Sequence, residues 1–67
     1  MQTYEIRLMA AKNWPAETHM FATDSLASAV ARAKTLLGRN SELESAEIRS
    51  RGGMLLTGIG RLQRPAA

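Results

Sequence analysis

The chain has 67 residues, no cysteine, 45% hydrophobic residues and a formal net charge of +3 at pH 7. That length holds a single core and buries only about 60% of the surface the unfolded chain exposes, which excludes a second domain. The missing cysteines exclude disulfides, thiolate metal sites and thiol nucleophiles; since small secreted domains commonly depend on such cross-links, the expected location is the cytoplasm.

Met1-Gln2-Thr3-Tyr4-Glu5 puts an acid where a signal peptide carries a basic residue, and no apolar run approaches the roughly 18 residues of a membrane span. From Tyr4 to Leu8 the chain alternates apolar and charged residues, the period of a half-buried strand. Tyr4, Ile6 and Leu8 then face a core, while Thr3, Glu5, Arg7 and Met9 face away. Lys12-Asn13-Trp14-Pro15-Ala16 interrupts the pattern, because Pro15 has no N–H and forces Trp14 into an extended shape; a loop is expected there. Thr18-His19-Met20-Phe21-Ala22-Thr23 is rich in β-formers and predicts a second strand paired to the first.

Thr23, Asp24 and Ser25 offer side-chain oxygens to cap a helix. Leu26, Ala29, Val30, Ala33 and Leu37 follow at i, i+3, i+4, i+7 and i+11, a single apolar stripe. Alanine dominates it, so the helix can lie close to a sheet. Lys34 and Arg39 suit the C-terminal end of the helix dipole, and Gly38 is expected in the left-handed position just past the end.

After the polar connection Asn40-Ser41-Glu42, the segment Ala46-Glu47-Ile48-Arg49-Ser50 alternates again, and Met54 to Ile59 forms a second apolar run. Between them stands Arg51-Gly52-Gly53. Arg-Gly-Gly recurs in disordered RNA-binding tails, but those repeat it within low-complexity sequence; here it occurs once, between two strand-like runs. A two-residue turn at Gly52-Gly53 sets Arg51 opposite Met54, Ser50 by Leu55, Ile48 by Thr57 and Ala46 by Ile59. One face then carries Ala46, Ile48, Leu55 and Ile59, the other Arg49, Arg51, Met54 and Leu56. Gly58 and Gly60 suggest a bulge in the last strand.

The expected architecture is α+β: a two-layer ββαββ sandwich, with one helix on one face of a four-stranded, mainly antiparallel sheet. A single domain is expected over residues 1–62, with a frayed tail over 63–67. The chain resembles a group of short, uncharacterised bacterial proteins of ββαββ layout. Tyr4-x-Ile6-x-Leu8, Phe21 before the capped helix with Ala29, Ala33 and Leu37, Ala46-Glu47-Ile48 and Gly53-Met54-Leu55-Leu56 carry that resemblance. It implies the fold and no established activity.

No catalytic set can be assembled. His19 is the only histidine and has no nucleophile or acid at triad spacing. Glu42 and Glu44 are close together but read as solvated, and no converging ligand set for a metal or cofactor stands out. Gly58-Ile59-Gly60-Arg61 lacks the strand-before, helix-after setting of a phosphate loop. The reading is therefore non-enzymatic, with no cofactor.

Two binding readings remain. Met9, Met54 and Leu56 share the open face with arginine, the mixture enriched at protein interfaces, and Trp14 is either a lid on the core or an exposed anchor. The first reading is a small protein-interaction module, open to self-association as a homodimer through the open face or an edge strand. The second is a weak, sequence-indifferent nucleic-acid or polyanion contact through Arg7, Arg49, Arg51, Arg61 and Arg64. Six of the seven arginines lie from Arg32 onward, which permits this, yet +3 also lies in the range that solubility alone favours. Sheet-face readers of RNA stack bases on aromatics, and this chain has one Trp, one Tyr and one Phe, with Tyr4 expected inward.

Overall fold

The computed structural model describes residues 1–10 and 14–60, and in it the alternating segments become strands of one sheet. The elements run β1 (Gln2–Ala10), β2 (Trp14–Thr23), α1 (Leu26–Arg39), β3 (Leu43–Ser50) and β4 (Leu55–Gly60). All pairings are antiparallel and the strand order is β2-β1-β3-β4, with α1 packed on one face. The fold is α+β with ββαββ order. Among the described residues, no helix is long and apolar enough to cross a membrane.

β1 is an inner strand, paired to β2 on one side and β3 on the other, and its alternation holds from Tyr4 to Leu8, with register shifts on both sides of Met9. Tyr4, Ile6 and Leu8 are buried, as are Ala46 and Ile48 on the facing positions of β3. Ala29, Ala33, Leu36 and Leu37 of α1 close over them, with Phe21, Val30 and Ile59 packed at the margin. The two fully buried alanines let the helix axis approach the sheet. Arg32 adds a clamp at the sheet edge, its guanidinium carbon 5.6 Å from the centre of the Phe21 ring.

The helix begins at Ser25, whose hydroxyl accepts a hydrogen bond from the Ser28 N–H at 3.2 Å. Two expectations about α1 fail. Leu26, assigned to the buried stripe, is 37% exposed, because the first turn follows directly on the edge strand before the helix reaches the centre of the sheet. Leu36 takes the place in the core instead. Gly38 does not end the helix in a left-handed conformation; the helix runs through it to Arg39, and extended Asn40 is the cap. The Asn40 side chain accepts the Glu42 N–H at 2.9 Å and the Asn40 carbonyl accepts the Leu43 N–H at 3.1 Å, which turns the chain into β3.

β3 starts earlier than its alternation suggested, at Leu43, which is one of the largest fully buried side chains. β2 also starts earlier: Trp14, Pro15 and Ala16, read as loop, are strand, with Ala10 opposite Trp14 and Met9 opposite Pro15. Pro15 is tolerated because β2 is an edge strand whose outer side needs no donor, and the register shift between Leu8 and Met9 takes up the irregularity. Trp14 is 72% exposed and does not fold back as a lid.

The β3–β4 hairpin departs most from expectation. The turn has three residues, Arg51, Gly52 and Gly53: the Gly53 N–H bonds to the Ser50 carbonyl at 2.9 Å and the Ser50 N–H to the Met54 carbonyl at 2.8 Å. Met54 therefore lies opposite Ser50 rather than Arg51. Gly53 takes φ +95°, a conformation that glycine adopts without steric cost. One residue later the register slips back, so that Arg49 faces Leu55 while Ile48 faces Thr57 and Ala46 faces Ile59 as expected. The irregularity thus falls at Leu56, not at Gly58 or Gly60, and it moves Leu55 off the core face; Leu55 is 51% exposed. The tail expected over 63–67 lies outside the described residues, as do Arg61 and Arg64.

The two glycines give opposite predictions. Nothing lies within 4 Å of a Cβ built on Gly38, so Gly38→Ala should raise unfolding free energy by up to about 1 kcal/mol through helix propensity. Gly53→Ala, at positive φ, should lower it by about 1 kcal/mol. Urea denaturation of the two variants checks both signs.

Candidate functional site on the open sheet face

Because α1 covers one side of the sheet, the side chains that alternate with the core project from the other. The register sets them in rows across the strands. One row reads Met20, Glu5, Arg49, Leu55; the next reads Thr18, Arg7, Glu47, Gly58; the third reads Pro15, Met9, Ser45, Gly60. At the centre, β1 and β3 contribute two acids and two bases in a checkerboard, with Glu5 beside Arg49 and Arg7 beside Glu47.

Each arginine is also tied along its own strand. Arg7 Nε donates to Glu5 Oε2. Arg49 donates from Nε and a terminal nitrogen to Glu47 Oε1 at 3.1 and 2.8 Å. Its other terminal nitrogen reaches the Gly53 carbonyl at 2.9 Å, so the same side chain braces the hairpin turn. The Arg49 and Glu5 side chains are only 23% and 17% exposed, low values for charges on a face without a covering layer. Partial burial strengthens such pairs relative to a fully solvated surface bridge. The quartet is neutral overall.

Apolar groups flank the quartet. Met20 on β2 is 57% exposed, and Leu55, Leu56 and Met54 at the β4 end are 51%, 39% and 69% exposed. Met9 is half-buried in the row below. Of the residues expected at an interface, Met9, Met54, Leu56 and Trp14 all carry accessible apolar surface, Trp14 at the far end of β2. Met20 and Leu55 join them. Met20 is hidden in the sequence by a strand with apolar residues on both faces, and only the pairing with Glu5 assigns its side.

Arg7 and Arg49, expected as polyanion contacts, are brought together on one face but engaged by Glu5 and Glu47. Arg51 stands apart, exposed in the turn. Tyr4 is buried, with its hydroxyl donating to Gln2 Oε1 at 3.1 Å, and Phe21 packs on the helix side, so neither supplies a stacking surface here.

His19 and Glu17 lie on the helix side of the edge strand, at positions facing Ile6 and Leu8, and their side chains meet at 2.8 Å in a solvent-exposed pair. Among the described residues no three histidines, cysteines or carboxylates converge as metal ligands. A shallow hollow of about 360 Å³ at one end of the sheet is lined by Met1 to Tyr4 and Ser50 to Gly52, and its only charged side chain is Arg51. No protein-family model, curated protein or solved structure matches the chain.

The geometry separates the two hairpin arginines. Arg49→Ala removes the brace on Gly53 and the pair with Glu47 and should lower stability by about 1 kcal/mol. Arg51→Ala should change it by less than about 0.5 kcal/mol. Parallel denaturant titrations measure the difference.

Proposed function

We propose that the protein is a small, non-enzymatic interaction module that binds protein through the open face of its sheet. One observation carries this reading: Met20, Leu55, Leu56 and Met54, all exposed, border a charge quartet that is already neutralised and half-buried. Protein interfaces combine exposed methionine with arginine and leave few uncompensated charges at their centre. For a domain with so small a core, covering this face also adds buried apolar area that the single helix does not supply. A bacterial cytoplasmic setting belongs to the same reading.

Polyanion binding is the second reading. Arg7 and Arg49 spend their charge on Glu5 and Glu47, and a phosphate backbone approaching them would meet two carboxylates as well. Only Arg51, among the arginines named for that role and described in the structure, is without a carboxylate in contact. The protein-binding reading therefore ranks first.

Site-specific photo-crosslinking in cells tests it. A benzophenone side chain in place of Met20 on the open face should give adducts of discrete mass, while the same group in place of Lys34 on the outer side of α1 should give none above background. No adduct from Met20 or from Leu56 would remove the reading.

A further inference from the structure

Resting on that reading, we infer that the occupant of the open face is a second copy of this chain, laid face to face about a two-fold axis that runs parallel to the strands between β1 and β3. The inference comes from the symmetry of the charge pattern. β1 and β3 are the inner strands, and their four charges form a square with like charges on the diagonals. Rotation about an axis along the strands sets β1 of one copy over β3 of the other without changing position along the strand. Glu5 then meets Arg49 of the second copy, and Arg7 meets Glu47 of the second copy. Every carboxylate gains a guanidinium and every guanidinium a carboxylate.

The outer columns obey the same operation. Met20 shares a row with Leu55, so Met20 meets Leu55 of the second copy at both edges of the interface. In the next row Thr18 meets Gly58 of the second copy. Its own chain does not require glycine there: a Cβ on Gly58 would meet only the Ala46 carbonyl oxygen at 3.8 Å, an ordinary contact. A glycine within a strand marks a place where another backbone can come close.

Other arrangements fit less well. A two-fold axis across the strands also matches opposite charges but sets Met20 over Thr18 and Leu55 over Gly58, losing both apolar contacts. A crossed packing, with strands of the two sheets at right angles, places like charges over one another on every diagonal axis. The pattern therefore selects the aligned class of sheet packing, in which the natural twist leaves about 30° between strand directions and least disturbs pairs near the axis. Four strands spaced about 4.8 Å apart offer on the order of 500 Å² per copy, the low end of specific interfaces and suited to a reversible dimer. An isologous contact of this kind closes on itself.

Inverting the quartet provides the test. The variant Glu5→Arg, Arg7→Glu, Glu47→Arg, Arg49→Glu keeps an acid–base pair on each strand and keeps the checkerboard self-complementary. Sedimentation equilibrium should show the parent and the inverted chain each dimerising in a concentration-dependent manner. Mixed and followed by native mass spectrometry, they should form heterodimer at least about tenfold more weakly than either homodimer, because every charge would then face its like. Free mixing in statistical proportion would overturn the inference, as would a parent that stays monomeric at millimolar concentration.

If the inverted chain does not fold, two single variants on exposed sites replace it. Met20→Lys and Leu55→Glu should each weaken self-association. Mixed, they should restore it, because the introduced ammonium of one chain lies opposite the introduced carboxylate of the other; a mixture no tighter than its components would overturn the arrangement. Crosslinks from Met20 to a different protein, with a monomeric parent, would overturn the second copy and leave the interaction reading standing. No adduct at all would remove both.

Discussion

One fourteen-residue helix can cover only one face of a four-stranded sheet, and the rest of the molecule follows from that constraint. The covered face receives nearly all the chain's capacity for burial: Ile6, Leu8, Leu43 and Ile48 are sealed under Ala29, Ala33, Leu36 and Leu37. The other face must remain compatible with water while still carrying the strand-forming residues that a sheet demands. The chain meets both conditions by placing charges at the centre, where both neighbouring strands help to desolvate them, and pairing every one. Met9 on β1 apart, the larger apolar residues of that face lie at its margins, Met20 on β2 and Leu55 and Leu56 on β4.

The period-two pattern makes this division readable where a strand is clean. Tyr4 to Leu8 and Ala46 to Ile48 have a charged or polar residue at each outward position, so the pattern alone assigns both the core residues and the outward charges. The helix is equally legible in its middle, where Ala29, Ala33 and Leu37 are both on the apolar stripe and buried. Strand order is not legible, because nothing local distinguishes β1 pairing with β3 from β1 lying at an edge. That order is what brings Glu5 beside Arg49. The charge square is a property of topology, invisible to either strand alone.

Two apparent interruptions are absorbed in different ways. Pro15 looks like a break when its segment is considered by itself, yet an edge strand has one side with no pairing to lose, and β2 continues through Trp14 and Pro15. Gly38 continues the helix instead of ending it, since one glycine costs a helix only about 1 kcal/mol relative to alanine. In the hairpin, a turn one residue longer and a slip at Leu56 cancel, so that Ala46 and Ile59 meet as alternation demands while Leu55 between them changes sides. Composition can count such residues. It cannot say which neighbour absorbs the shift.

Pro15 on β2 and the irregularity at Leu56 on β4 fall on the two outer strands, one at each border of the sheet. A straight border with a full ladder of free donors and acceptors recruits further strands without limit, and the product is a ribbon or fibre. Each border carries one interruption, a residue without an N–H on β2 and a buckle on β4, and an interrupted border resists that growth. The sheet is thus interrupted along both borders, the direction in which strand addition would be endless. For a protein with an uncovered apolar margin, such an interruption separates a finite particle from an aggregate.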